Sequence, residues 1–262
     1  MLINTVLLFL QNSLPIFIIT TLLLLSFSSK TMNRLNIKWL IFGFIITFIS
    51  AFILSYNLER ISLSIEGKGT EVLFAFGLLV IYFASIALFI LNNKSVDTLT
   101  KKRIAFIVFF IISCLNGADF IIYLTSYWAN AQQVDSMLIG IVLGGGICLS
   151  IAILLYFLLI YVNQKIHLKM FNYFLLLFAV GQLMKAIVLL QQVDSLPSSS
   201  PVWDSSHLIS ENSELGQLLM ALFGYEATPS YIQLVTYAVA FVIPVLMSKT
   251  KAILLYIHGG KS

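Results

Sequence analysis

Charge is scarce in this sequence: 10% of its 262 residues are Asp, Glu, Lys or Arg, while 60% are hydrophobic. Soluble domains average about 25% charged and about 45–50% apolar, so a soluble enzyme or binding module is excluded. Cysteine is limited to 2 residues and histidine to 3. Cys114 and Cys148 lie in apolar runs with no Cys or His at metal-ligand spacing, and read as small packing groups rather than a disulfide or a metal site. His167 falls in one connection, His207 in another and His258 in the tail, so the three share no site. His-Glu-x-x-His, Gly-x-Ser-x-Gly and paired intramembrane aspartates are missing, so no enzyme is expected. The net charge of +4 does not mark nucleic-acid binding, because the basic residues sit in short clusters between apolar runs.

Long apolar runs are plentiful. A hydrocarbon core of about 30 Å needs roughly 20 helical residues, and seven segments are long enough, near 2–27, 38–56, 70–92, 104–128, 136–162, 170–191 and 230–248. The first resembles a secretory signal at Ser26-Phe27-Ser28, but it lacks a basic amino-terminal region and its apolar run is too long. The expected fold is an all-α integral membrane protein, with residues 1–262 forming a single polytopic domain.

Lys and Arg are retained on the cytoplasmic side. Lys30, Arg34, Lys38, Lys94, Lys101, Lys102, Arg103, Lys165, Lys169, Lys249, Lys251 and Lys261 all fall in alternate connections or the tail, twelve of the fifteen basic residues. Arg60 and Lys68 occupy the opposite connections, alongside Glu59, Glu66 and Asp135. This places the amino terminus outside and the carboxyl terminus inside, and fits a bacterial inner (plasma) membrane.

The connection 192–229 carries Asp194, Asp204, Glu211, Glu214 and Glu226 and no Lys or Arg. Its opening, Ser195-Leu196-Pro197-Ser198-Ser199-Ser200-Pro201, cannot stay helical through its prolines. Residues 213–223 alternate polar and apolar side chains at helical spacing before Gly224 and Pro229, as expected of a short interfacial helix. It is either a cap on the bundle or part of an outer vestibule whose acids attract cations.

An ionisable group at a helix centre costs at least about 2.5–3.5 kcal/mol on insertion scales, so those found there are informative. Asp119 and Lys185 are the two clearly deep charges, and their equal depth permits a salt bridge. Polar clusters accompany them: Gln11-Asn12-Ser13-Leu14-Pro15 in the first helix and Asn116-Gly117-Ala118-Asp119 in the fourth. Pro15 frees a carbonyl and Gly117 permits close helix approach, so backbone oxygens are expected to face a central cavity. The first and fourth helices enter from opposite sides, which suggests a 3+3 inverted repeat followed by a seventh helix.

These residues resemble the high-affinity iron permeases, the family of the fungal oxidase-coupled ferric permease and the bacterial Efe-type iron permease. The resemblance rests on Gly181-Gln182-Leu183-x-Lys185-Ala186, on Leu190-Gln191-Gln192-Val193-Asp194-Ser195-Leu196-Pro197, on Trp203-Asp204, and on Leu215-Gly216-x-Leu218-Leu219-x-Ala221-Leu222-Phe223-Gly224-Tyr225-x-Ala227-x-Pro229-Ser230. It covers the whole topology and is weaker in the amino-terminal half. It implies seven helices, the amino terminus outside, and an Arg-Glu-Gly-Leu-Glu motif in the first and fourth helices. Here those positions read Gln11-Asn12-Ser13-Leu14-Pro15 and Leu115-Asn116-Gly117-Ala118-Asp119, which leaves one carboxylate, Asp119. Glu71 stands where the family has an acid, while Phe74 or Ala75 replaces the second.

The resemblance implies transport of iron, or of another metal cation, as substrate, with no permanently bound cofactor. Its expected path residues are Asp119, Asn116, Asn12, Gln11 and Glu71, with Asp194, Asp204, Glu211, Glu214 and Glu226 as an outer funnel. A multicopper oxidase or a periplasmic iron-binding protein is the implied partner, besides the lipid bilayer. The other reading is a non-transporting relative, a membrane subunit or assembly partner in which Asp119 and Lys185 pair.

Overall fold

The computed structural model describes residues 2–27, 37–92, 98–128, 134–166, 170–197, 199–211 and 213–259. Among them the chain forms eight helices: α1 (Leu2–Phe27), α2 (Ile37–Ser64), α3 (Gly69–Asn92), α4 (Thr98–Trp128), α5 (Val134–Ile166), α6 (Met170–Gln192), α7 (Glu214–Phe223) and α8 (Tyr231–Gly259). Seven are long and apolar enough to cross a membrane; α7 is the short one. Lys30, Arg34, Lys94, His167, Lys169, Ser198 and Lys261 lie outside the described residues.

Several helices run past the apolar stretches that mark them in the sequence. α2 continues through Glu59 and Arg60 to Ser64, and α4 starts at Thr98, so Lys101, Lys102 and Arg103 belong to its first turns. Bilayer thickness sets only a minimum length, and a helix continues until something breaks it. For α2 the break comes at Glu66 and Gly67, both at positive φ.

α6 and α1 are the most enclosed spans, α2 and α8 the least. α6 buries Leu175, Leu176, Phe178, Ala179, Val180, Leu183, Met184 and Ile187, side chains that point all around it, as expected of a helix with neighbours on every side. On α2, Phe44, Phe48 and Phe52 form an exposed stripe at a spacing of four, an apolar face suited to lipid. The principal packings are α1 on α5, α4 on α2, α3 on both α4 and α6, and α1 on α4, while α7 rests on α1 and α6.

Both polar clusters sit within continuous helices, since Pro15 lies inside α1 and Gly117 inside α4. Pro15 is buried, and a Cβ on Gly117 would lie 3.1 Å from the Ala51 side chain, so Gly117 serves the α2–α4 contact. Neither residue lines the cavity described below.

The segment between α6 and α8 is folded. Val202 N–H donates to the Pro229 carbonyl at 2.9 Å and Ser205 N–H to the Ala227 carbonyl at 2.9 Å, pairing two extended stretches with an antiparallel bridge at Pro201 and Ser230. Between them, Ser213 caps α7 by accepting from Gly216 N–H at 3.0 Å, and Gly224 ends it at φ 67. Gly224 sits against Gly181 of α6 backbone to backbone: a Cβ on Gly224 would lie 2.5 Å from Gly181 Cα. This contact seats the loop on the bundle.

Candidate functional site

A cavity of about 350 Å³ opens between α1, α3, α4, α6 and the 224–226 segment. Polar groups enter it from all sides but α3: Gln11 and Asn12 from α1, Asn116 and Asp119 from α4, Gln182, Lys185 and Gln192 from α6, and Glu211, Tyr225 and Glu226 from the connection. Phe74, Leu78, Leu115, Val188 and Leu189 supply the apolar wall. Most such sites are apolar clefts of roughly 300–1,000 Å³ with a few convergent polar groups, and this cavity has that form.

Sequence spacing explains the convergence. Asn12 and Gln11 stand about ten residues into α1, and Asp119 about nine residues before the end of α4, so at about 1.5 Å per residue both reach the same level of antiparallel helices. Asn116 and Asp119 are three residues apart and share a helix face. Asp119 is exposed in the cavity and Asn12 is buried. Asn116 donates through Nδ2 to the Ile112 carbonyl at 2.8 Å, which engages its amide nitrogen.

Asp119 and Lys185 both line the cavity and their charges act on each other across it. No direct ion pair joins them among the described residues. Lys185 is half-buried. Among the described residues no group of three or more His, Cys, Asp or Glu side chains stands together as a metal cage.

The mouth of the cavity is built from the connection. Glu211 Oε1 accepts from Ala227 N–H at 2.7 Å, and Glu226 Oε2 accepts from Gln233 Nε2 at 2.9 Å. Burial pushes the Glu226 carboxyl above the usual glutamate range; the Gln233 hydrogen bond opposes this and the nearby Glu211 charge adds to it. Tyr225 donates through its hydroxyl to the Ile209 carbonyl at 3.0 Å, holding the mouth in place.

Four of the acids singled out from sequence lie away from the cavity. Glu71 accepts from Thr70 Oγ1 at 2.7 Å at the start of α3. Asp194 and Glu214 are exposed, and so is Asp204, which accepts from Ser206 N–H at 2.9 Å. The Ser206 hydrogen bonds, aided by the nearby His207, hold the Asp204 carboxyl below the usual range. The cavity adds Gln182, Gln192 and Tyr225, which lie in the runs that carry the family resemblance but are not among the expected path residues. Gln182 is a polar side chain inside an apolar helix, the signal that also marked Lys185.

Seven apolar spans, four of them lining a polar cavity whose mouth is a folded acidic loop, define an integral membrane protein of the permease class. Residues 89–258 match the Iron permease FTR1 family, which is more than half of the chain. The chain belongs to that family: it is a membrane permease of the iron-transporting kind and not an enzyme. No curated protein and no solved structure matches it.

Proposed function

We propose that the cavity lies on the path by which iron, or another metal cation, crosses the bilayer. Asp119 serves as the one anionic ligand, with the amide oxygens of Asn12 and Asn116 as neutral ligands and Gln11 beside them. Glu211 and Glu226 stand at the mouth; Glu71, Asp194, Asp204 and Glu214 attract cations from farther out. The observation that carries this reading is the meeting of Asn12, Asn116 and Asp119 in one cavity, because those positions align with the family's two acidic motifs.

On this reading residues 1–262 form one polytopic membrane unit, with the amino terminus and the acidic loop outside and the basic connections inside. The packing pattern supports two inverted halves, α1–α3 and α4–α6, since α1 rests on α5 as α4 rests on α2. The membrane is the bacterial inner membrane. A multicopper oxidase or a periplasmic iron-binding protein hands the metal to the acidic loop.

Reconstitution tests this. Proteoliposomes holding the full chain are expected to accumulate radiolabelled iron above protein-free vesicles. If no metal is accumulated, the chain is instead a non-transporting membrane subunit, a reading consistent with the lack of a metal cage among the described residues.

A further inference from the structure

The cavity is built for something larger than a bare ion. Its volume of about 350 Å³ lies in the range of small-molecule sites, and a single metal ion fills only a small fraction of it. It also holds groups that a metal ion does not use. Lys185 presents an ammonium, which repels cations and has no direct carboxylate partner among the described residues. Gln182, at the same wall and 1% exposed, has an Nε2 with no hydrogen-bond partner. Leaving a buried donor unpaired is costly, so such a group calls for an acceptor.

Gln182 is therefore a donor awaiting an acceptor, and Lys185 a cation whose neighbouring carboxylate, Asp119, leaves its ammonium hydrogens open to further anionic oxygens. They lie three residues apart, on one face of α6. Across the cavity, α1 and α4 offer Asn12, Asn116 and Asp119. One wall thus suits an anion and the opposite wall a cation. A hard trivalent metal prefers several anionic oxygens; of the three carboxylates that line this cavity, Glu211 and Glu226 already accept hydrogen bonds from Ala227 and Gln233 at the mouth, which leaves Asp119.

We infer that the substrate enters as a metal ion already ligated by a small polycarboxylate, with Lys185 and Gln182 binding the chelator's free carboxylate oxygens while Asp119, Asn12 and Asn116 face the metal. The chelator brings the anionic ligands that the protein lacks. This rests on the transport reading above and narrows its substrate class.

The test uses the full chain in lipid nanodiscs and proteoliposomes, with citrate as the chelator. Ferric citrate is labelled on the metal in one sample and on the citrate in another; ferrous iron held by ascorbate and metal-free labelled citrate are the comparison probes. Both labels of ferric citrate are expected to bind with equal stoichiometry, at least about tenfold more tightly than ferrous iron or citrate alone. Lys185→Gln is expected to weaken ferric citrate binding about tenfold and to shift preference toward ferrous iron. Lys185→Arg should restore it. Gln182→Glu, which places a carboxylate where a carboxylate must bind, should reduce ferric citrate binding in the same way. If ferrous iron alone is bound and carried while the citrate label stays outside, the chelate inference is overturned and the transport reading stands. If metal-free citrate binds as tightly as the complex, the site recognises the polycarboxylate and not the metal complex, which also overturns the inference. If no form of iron is carried, both fall.

Discussion

At the residue scale, Glu226 makes a pH-dependent contribution whose sign follows from burial. Its carboxyl is raised above the ordinary glutamate value of 4.5, so the folded chain holds a proton there that the unfolded chain has already released. Stability contributed by the protonated form is present below the ordinary value and is lost as pH rises through the raised one. Glu226→Gln is expected to flatten this dependence, so that melting temperatures of the two proteins converge at low pH and the variant melts higher at neutral pH. Capture of cations at the mouth should run the other way, rising with pH more steeply in the parent protein than in the variant, which iron binding measured from about pH 5 to about pH 7.5 would show. The polar groups of the cavity were largely legible in the sequence, because amides and charges in apolar helices are conspicuous. Asn12, Asn116, Asp119 and Lys185 stood out for that reason. Gln182 is less conspicuous as a path residue, because a neutral amide is less costly in a helix than a charge, although the same logic applies to it. Pro15 and Gly117 were legible as special positions but serve packing, since a polar interruption in sequence says nothing about which side of the helix faces the cavity.

At the element scale, the contact between α6 and the end of α7 carries the loop. Gly224 has a left-handed backbone, and any side chain on it would meet the backbone of Gly181 at 2.5 Å. Gly224→Ala is expected to cost at least about 1–2 kcal/mol from backbone strain alone, with the collision in addition. Gly146→Ala inside α5, where a Cβ meets nothing within 4 Å, should not lower stability, since Ala is the better helix former. Thermal unfolding of the two variants in detergent distinguishes them, and proteolysis within residues 199–211 should accelerate only in the first. Ser213→Ala removes the α7 cap and should cost about 0.5–2 kcal/mol in the same assay. The spans were readable from hydropathy, while their ends were not, because residues such as Glu59 and Arg60 continue a helix without signalling its length. The folding of the 193–230 connection was hidden altogether apart from α7. Its extended pairing relies on backbone hydrogen bonds between residues about 25 apart, and such pairing has no local sequence pattern.

At the scale of the whole molecule, the chain belongs to the permease family, and its cavity sets the amides Gln11, Asn12, Asn116 and Gln182 beside Asp119. The scaffold was legible because apolar runs and basic clusters act over the full length. The site's composition was legible too, but its assembly was not: which of the eleven acidic residues face the cavity depends on the loop's path, and only Asp119, Glu211 and Glu226 do so among the described residues. The proposed orientation, with the basic connections inside, yields a further expectation. A cysteine introduced at exposed Ser199 should react with an impermeant thiol reagent added outside intact cells, and one at exposed Lys102 should not.

The central claim is that iron passes the Asp119 cavity, and the initial rate of radiolabelled iron entry into proteoliposomes, compared between the parent chain and Asp119→Asn at equal protein content, tests it most directly. The account predicts a fall of at least about tenfold in the variant, equivalent to about 1.4 kcal/mol, with unchanged folding in detergent. Equal rates for the two proteins would contradict it.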